Sequence, residues 1–130
     1  MDITVLKSNS LLANIKRLYD IVDIDKGDVM SAIIGNNEIS IIFSNKYKDE
    51  ILKFLSHENI INKESNLVSI TIMFYGDFLH TPGIVFNIIR KLAWENINIY
   101  EIVSTKSELT FIIKKEDSMR AYEVLEEVVK

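Results

Sequence analysis

The chain has 130 residues, of which 48% are hydrophobic and 26% charged, a balance typical of globular domains rather than of disordered or low-complexity chains. The net charge of −4 and the scattered basic residues argue against a nucleic-acid surface, and the absence of cysteine excludes disulfides, thiolate zinc sites and cysteine nucleophiles. The N-terminus lacks a signal-peptide pattern and the apolar runs are too short to span a membrane, so we expect a cytoplasmic protein of one domain or two small ones.

The first half of the chain predicts the order strand, helix, strand, strand, helix. Ser10 is expected to cap the first helix, which would end near Tyr19, and Gly35-Asn36-Asn37 would join two adjacent strands. Besides that helix, the predicted elements are strands at Ile3–Lys7, near Asp28–Ile34 and at Glu38–Phe43, a helix at about Lys46–Ser56, and a short strand at Ile60–Asn62.

The second half predicts the same order. Apolar and polar residues alternate from Val68 to Tyr75, which indicates a strand, and the only Pro-Gly pair of the chain follows. Thr81 suits the N-cap of the next helix and Pro82 its first position. The helix would bury Val85, Ile88, Ile89 and Leu92, and the remaining elements are strands at about Ile97–Ser104 and Glu108–Lys114 and a helix at Asp117–Val129, with Asp117 as its cap.

The two halves are copies of one pattern. Glu38–Phe43 and Glu108–Ile113 have the same polarity at every position, 70 residues apart, and Leu6–Ser10 matches Leu79–Gly83 at a spacing of 73. The repeat predicts an α+β fold of two ferredoxin-like βαββαβ units, residues 1–63 and 64–130, each with an antiparallel sheet and helices on one face. The last strand of the second unit is missing or borrowed.

The sheet face opposite the helices is expected to be apolar, because the strand positions that alternate away from the helices include Ile42, Ile112, Ile102, Met73 and Tyr75. Two explanations are open: ordinary scatter of surface hydrophobic residues, or burial of this face or of a sheet edge against a second copy. The missing strand favours the second explanation and predicts a homodimer or a higher homo-oligomer.

Thr81-Pro82-Gly83-Ile84-Val85, then Glu95-Asn96-Ile97-Asn98-Ile99 and a polar turn at Ser104-Thr105-Lys106-Ser107-Glu108, are similar to the Pro-Gly loop, Asn-containing strand and turn of the ACT domain. The chain resembles above all the tandem ACT regulatory region of aspartokinases, from about Leu67 to its end. The first half shares the resemblance only through the internal repeat, because Ser8-Asn9-Ser10 lacks the Pro-Gly pair. With no kinase catalytic domain, the chain resembles the regulatory part standing alone, and we do not expect an enzyme.

This resemblance implies allosteric binding of a small metabolite, typically an amino acid, between ACT units. A helix N-terminus suits a carboxylate, and a glycine there lets a ligand approach the backbone closely. One site would combine His80–Val85 with Asp28-Val29-Met30, and another Lys7–Leu11 with Asn98-Ile99-Tyr100. The implied ligand-binding residues are His80, Thr81, Pro82, Gly83, Ile84, Val85, Asn98, Ile99, Tyr100, Asp28, Val29, Ser8 and Ser10.

One residue departs from the family pattern. Tyr100 stands where lysine-sensing relatives have an acidic residue, which argues against lysine at that site, although Asp28 offers a carboxylate in the other half. Asp23–Asp28 lacks the acid and the glycine placement of a calcium loop, so no metal is expected, and no cofactor motif is present. The alternative to a sensor is an interaction module without a ligand, or a regulatory subunit of a separate biosynthetic enzyme, with no nucleic-acid or membrane partner.

Overall fold

The computed structural model describes residues 1–74 and 83–128. The chain divides into two compact units, Met1–Ser65 and Asn66–Lys130, each with its own hydrophobic core. Both are α+β, with helices packed on an antiparallel sheet.

Unit 1 has four strands and three short helices. Two 3-10 turns, Ile24–Lys26 and Asn45–Tyr47, precede its second strand and its last helix. The elements are β1 (Asp2–Leu6), α1 (Asn9–Asn14), α2 (Lys16–Ile21), β2 (Met30–Ile34), β3 (Glu38–Phe43), α3 (Lys48–Phe54) and β4 (Ile60–Glu64).

The sheet of unit 1 has the order β2-β3-β1-β4, and every neighbouring pair is antiparallel. This is the order of a ferredoxin-like βαββαβ unit, with the first and third strands in the centre. Alternate residues of these two strands face the helices, since Ile3 pairs with Ile41 and Val5 with Ile39. All four are completely buried, together with Leu11, Leu18, Ile51 and Leu55 of the helical layer.

Unit 2 repeats this plan with one strand fewer among its described residues. Its elements are β5 (Leu67–Met73), α4 (Ile84–Trp94), β6 (Glu101–Ser104), β7 (Glu108–Lys114) and, after a 3-10 turn at Lys115–Asp117, α5 (Ser118–Val128). The order β5-β7-β6 corresponds to β1-β3-β2 of unit 1. The core lies between this sheet and the two helices and includes Ile88, Leu92, Leu109, Phe111, Ile113, Ala121 and Leu125.

The two strands that carry the sequence repeat lie as predicted, at Glu38–Phe43 and Glu108–Lys114. Several predicted element starts are wrong. The cap of the first helix is Ser8, not Ser10, and α4 begins at Ile84 with Gly83 as its cap, whereas Thr81 and Pro82 lie outside the described residues. A helix that begins this late follows from the left-handed backbone of Gly83, with φ of 84°, which a helix interior excludes.

The second strand of each unit, β2 in unit 1 and β6 in unit 2, also begins later than predicted. β2 begins at Met30 rather than Asp28, and β6 begins at Glu101 rather than Ile97. The physical reason in unit 2 is the end of α4, where Asn96 is left-handed with φ of 58° and the Ile97 N–H donates to the Leu92 carbonyl at 3.0 Å. These residues still belong to the helix terminus and cannot join a strand.

The sheet face opposite the helices is less open than the sequence suggested. Ile42 and Ile112 are only 5% exposed in the single chain, so they need no second copy to cover them. Met73, on the outer strand β5, is 56% exposed, and Tyr75 lies outside the described residues. The placement of Ile102 on this face is wrong: Ile102 pairs with Phe111, a helix-facing residue of β7, so it lies on the helix side of the sheet, where it is 42% exposed. Of the residues predicted for this face of unit 2, Met73 is therefore the exposed one that a second copy could cover.

The orientation of α4 predicts a contrast between two of its residues. Leu92→Ala should lower the free energy of unfolding by about 2–5 kcal/mol, because Leu92 is completely buried and the deletion leaves a cavity. Trp94→Ala should change it by less than about 0.5 kcal/mol, because the Trp94 side chain is 83% exposed. Urea unfolding followed by circular dichroism measures both, and equal losses would contradict the orientation of the helix.

Candidate ligand-binding site

The first helix of unit 1 is capped by its own chain. The Ser8 hydroxyl accepts a hydrogen bond from the Leu11 N–H at 3.0 Å and donates one to Glu58 Oε1 at 2.6 Å. Ser8 can do this because its backbone is extended, with φ of −137° and ψ of 153°, as an N-cap requires. Ser10 lies inside α1, where its carbonyl accepts from the Asn14 side-chain amide at 2.8 Å.

The loop between β1 and α1 therefore already has a hydrogen-bond acceptor for the backbone N–H groups of α1 and a negative charge near the start of this helix. Through Ser8, the Glu58 carboxylate is held at the positive end of the helix, where an anionic ligand would otherwise be attracted. An open pocket of about 480 Å³ lies beside this loop, lined by Lys7, Ser8, Asn9, Leu12, Asn36 and Asn37. The Lys7 ammonium donates to the Gly35 carbonyl at 3.2 Å and so holds the loop against the β2–β3 turn.

The first helix of unit 2 begins differently. Gly83 has no side chain to cap α4, no acidic residue lies in the first turn of the helix, and the Gly83 carbonyl accepts only the Asn87 N–H, at 2.9 Å, among the backbone bonds of the described residues. A Cβ added to Gly83 would meet nothing within 4 Å, so glycine is required here by its left-handed conformation and not by crowding within the chain.

The predicted ligand residues that follow Gly83 face inward. Ile84 and Val85 are half-buried and pack against the core of unit 2. They could therefore contribute to a ligand site only through their backbone N–H groups, which belong to the first turn of α4 and have no helical acceptor. His80, Thr81 and Pro82 lie outside the described residues.

Asp28 already has two partners. Its Oδ2 lies 2.8 Å from the Lys46 ammonium and accepts the Tyr47 hydroxyl at 2.5 Å, and its side chain is 13% exposed. The hydrogen bond from Lys46, and after it that from Tyr47, lowers the pKa of Asp28, and the same contact raises the pKa of Lys46. The Tyr47 oxygen in turn accepts the Asp23 N–H at 3.2 Å.

The neighbouring residue Val29 is held through its own backbone groups, both of which bond to Ser44. Its N–H donates to the Ser44 hydroxyl at 2.8 Å, and its carbonyl accepts the Ser44 N–H at 3.1 Å. Asp28 and Val29 thus fasten the segment before β2 to the turn before α3. Lys46, Tyr47 and Ser44 are not among the site residues predicted from the sequence, because they follow Asp28 by 16 to 19 residues and meet this segment only through the β2–β3 hairpin.

The predicted residues after α4 lie outside any strand. Asn98 is exposed, Ile99 packs against the core, and the Tyr100 N–H donates to the Ile112 carbonyl at 2.8 Å. The Lys114 ammonium lies 5.3 Å from the centroid of the Tyr100 ring, a cation–π distance. Tyr100, which replaces an acid of the family pattern, therefore contacts a cation of its own chain through its ring face.

Gly83 and Asn98 lie at opposite ends of α4. The helix has 11 residues, so its two ends are about 16 Å apart. A free amino acid does not span that distance. Within unit 2, these two predicted positions cannot belong to one site.

Solved structures of the same fold are known, although no protein-family model and no curated protein matches the chain. The structure of aspartokinase alpha and beta subunits superimposes with a TM-score of 0.75 at 19% identity, covering 98% of this chain and 90% of that one. The ligand-free regulatory subunit of aspartate kinase from Thermus thermophilus gives 0.73 at 15% identity, with 99% and 92% covered. The chain has the fold of an aspartokinase regulatory subunit.

Aspartate kinase from Clostridium acetobutylicum also matches, with a TM-score of 0.73 at 19% identity over 99% of this chain and 32% of that chain. In the larger protein the likeness thus covers about a third of the length. At such identities the likeness establishes the α+β architecture and leaves the ligand to be argued from the residues.

Among the described residues, no three His, Asp or Glu side chains lie close enough together to hold a metal ion. None of the helices in the described part of the chain has both the length and the apolarity to cross a membrane.

Because Ser8 caps α1 and Ser10 lies inside this helix, alanine substitutions at the two positions should change the stability of the protein differently. Ser8→Ala should lower the free energy of unfolding by about 1 kcal/mol, because the Leu11 N–H and the Glu58 carboxylate lose their partner. Ser10→Ala, two residues later and exposed inside α1, should be neutral or slightly stabilising because alanine is the better helix former. Urea unfolding of both variants measures the difference, and a larger loss for Ser10→Ala would contradict the assigned cap.

The Asp28 contact predicts a pH-dependent effect. Because the pKa of Asp28 is lowered in the folded state, its contribution to stability is present above the ordinary value of 3.8 and is lost as the pH falls through the folded value. Lys46→Met should therefore lower the melting temperature at pH 6, and the difference from the natural protein should narrow at pH 2.5. Lys48→Met, which removes an exposed lysine two residues later, is the control. A difference that stays constant with pH would contradict the Asp28–Lys46 pair.

Proposed function

We propose that this chain is a non-catalytic regulatory module of the ACT type, with one ACT-like unit in each half, that binds an amino-acid effector and controls an enzyme of amino-acid metabolism. The observation that carries the proposal is the superposition of 98–99% of the chain on aspartokinase subunits, one of them a regulatory subunit, with TM-scores of 0.73 to 0.75. A related solved structure, aspartokinase III of Escherichia coli, is a complex with lysine and aspartate.

The start of α4 is the part of the chain that we propose receives the effector carboxylate. The backbone N–H groups of the first turn have no side-chain cap from Gly83, and the first turn carries no acid that would repel an anion. With no Cβ at Gly83, a carboxylate can approach these groups directly. The N-terminus of α1 lacks this capacity because Ser8 and Glu58 occupy it, so we assign the carboxylate site to unit 2.

The effector we propose is an amino acid with an uncharged side chain. A side-chain ammonium such as that of lysine would need a free carboxylate as partner. Asp28 is already paired with Lys46 and Tyr47, and the position of the family acid is occupied by Tyr100, whose ring contacts Lys114. Threonine, methionine and the branched-chain amino acids need no such partner.

A second candidate function is an interaction module without a ligand. It is favoured by the self-sufficiency of unit 1, in which both Ser8 and Asp28 are used by the chain itself. Such a module would act by joining a second copy or a catalytic polypeptide. The two functions differ in one measurable property, which is whether a free amino acid stabilises the protein.

A thermal-shift screen against the twenty amino acids tests the sensor. An effector present at 100 times its dissociation constant should stabilise the folded protein by about 2.7 kcal/mol, since it binds the folded state alone. We expect a neutral amino acid to raise the melting temperature and lysine to leave it unchanged. If no amino acid raises it, the interaction module is the function instead; a response to lysine alone would overturn the effector class.

Gly83→Ala tests the location of the site. We expect it to reduce effector affinity at least about tenfold, because its Cβ would lie at the point of closest backbone approach. Asn96→Ala is the matched control, since Asn96 is also left-handed but lies at the far end of α4 and should keep full affinity. Calorimetry on both variants measures this, and unchanged affinity in Gly83→Ala would exclude the start of α4.

A further inference from the structure

A small recess lies between the helices of unit 1. The segment formed by α1 and α2 contributes Ser10, Leu11, Asn14 and Arg17 to its lining, and the end of α3 with the turn that follows contributes Phe54, His57 and Glu58. The volume of the recess is about 170 Å³, below the roughly 300–1,000 Å³ of sites for drug-sized ligands, so it has room for a small molecule only. None of these residues lines the open pocket beside the β1–α1 loop.

Three polar side chains of the recess share one face of the first helical segment. Ser10, Asn14 and Arg17 follow each other at intervals of four and three residues, the spacing that brings helical side chains onto one face. The junction of α1 and α2 keeps this face intact, because Ile15 has helical backbone angles of −60° and −28°. The Asn14 amide donates one N–H to the Ser10 carbonyl at 2.8 Å, which leaves its second N–H for another acceptor.

The turn after α3 forms the opposite wall, and the chain holds this turn in place. The Asn59 carbonyl accepts the Leu6 N–H at 3.0 Å, and Glu58 Oε1 accepts the Ser8 hydroxyl at 2.6 Å. The turn is thereby joined both to β1 and to the cap of α1. His57, directly before these two residues, is positioned at the recess without any ligand.

The charge of Arg17 has no partner within the fold. Among the described residues, the side chains of Arg17 and His57 form no hydrogen bond and no ion pair. Glu58 is also charged, but its carboxylate accepts the Ser8 hydroxyl at the positive end of α1, where a negative charge is stabilised. The recess therefore offers a guanidinium and an imidazole to an anion.

The floor of the recess is apolar. Leu11 is only 1% exposed and belongs to the core of unit 1, and the half-buried Phe54 packs against that core. A ligand that matches both the floor and the single unpaired charge has an apolar body and one negative charge. A phosphate monoester, which carries about −1.5 to −2 charges at neutral pH, matches it less well.

We propose that this recess binds a small organic carboxylate with a short apolar chain. The carboxylate would accept hydrogen bonds from Arg17 and His57, and the apolar chain would lie on Leu11 and Phe54. Arginine suits such a ligand because its fork of N–H groups matches the two oxygens of a carboxylate. The site lies within unit 1 and does not depend on the amino-acid effector proposed for unit 2.

The corresponding positions of unit 2 lack this chemistry. At the 70-residue spacing of the repeat, Val124 and Glu127 stand in place of Phe54 and His57. An acid in place of the imidazole would repel a carboxylate, and a valine offers less apolar surface than a phenylalanine. We therefore expect one such site for each chain, in unit 1.

The probe for this site is 3-methylbutanoate, a branched monocarboxylate, titrated into the full chain in the millimolar range. Amide signals of residues 10–17 and 54–58 should shift and saturate in two-dimensional NMR spectra, because these residues surround the recess. A titration that moves none of these signals would overturn the proposal. A response confined to the start of α4 would do the same, because the carboxylate would then bind at the proposed effector site.

Arg17→Gln tests the cation of the site. It should weaken the binding of 3-methylbutanoate at least about tenfold, because the charged donor is lost. Lys16→Gln is the matched control: it removes the same charge from an exposed neighbour that does not line the recess, and the affinity should change less than about twofold. Both side chains are exposed, and the same spectra show that both variants are folded. Equal losses in the two variants, or no loss in Arg17→Gln, would contradict the assignment.

Two further compounds test the two parts of the ligand separately. The amide of the probe, 3-methylbutanamide, keeps the apolar chain without the charge, and acetate keeps the charge with one methyl group. Each should bind at least about tenfold more weakly than 3-methylbutanoate. If acetate binds equally well, the recess is only a general anion patch. If the amide binds equally well, Arg17 does not recognise the carboxylate, and either result overturns the proposal.

Discussion

The structure of each unit depends on the packing of one central strand against the helices. In β3 the helix-facing residues are Ile39, Ile41 and Phe43, and in β7 they are Leu109, Phe111 and Ile113, all at most 2% exposed. Each of these strands is paired on both sides, so its position fixes the register of its neighbours. Because the side-chain period of a strand is two, a shift of one residue would turn all three buried side chains to the other face. The helices can then pack on only one side of the sheet.

On this shared frame the two units have come to differ where their first helices begin. Unit 1 uses Ser8 and Glu58 to satisfy the helix terminus from within the chain, whereas unit 2 begins α4 with a left-handed glycine that supplies no side-chain cap. The first arrangement adds stability and removes an anion site. The second supplies no side-chain cap from Gly83, and the proposed effector site rests on this difference.

The segment before the second strand differs between the units for an electrostatic reason. In unit 1, Asp28, Lys46 and Tyr47 form one hydrogen-bonded group. At the 70-residue spacing of the repeat, unit 2 has Asn98, Glu116 and Asp117 in their place, a neutral amide and two acids that cannot form the same ion pair. Asn98 is exposed. The repeat thus preserves the apolar positions, which the core requires, and lets the polar positions diverge.

The sequence by itself determined the fold class, the internal repeat and the two central strands, since these follow from alternation of apolar residues over six or seven positions. Those signals are local and redundant. The element starts depend on backbone details that periodicity does not show, such as the cap bond of Ser8 and the left-handed Gly83. The state of the predicted ligand residues was decided by tertiary structure, because partners far away in the sequence engage them. The Ser8 hydroxyl donates to Glu58, 50 residues away, and the engagement of Asp28 depends on a lysine and a tyrosine brought near by the β2–β3 hairpin. No periodicity in a single sequence records such long-range contacts.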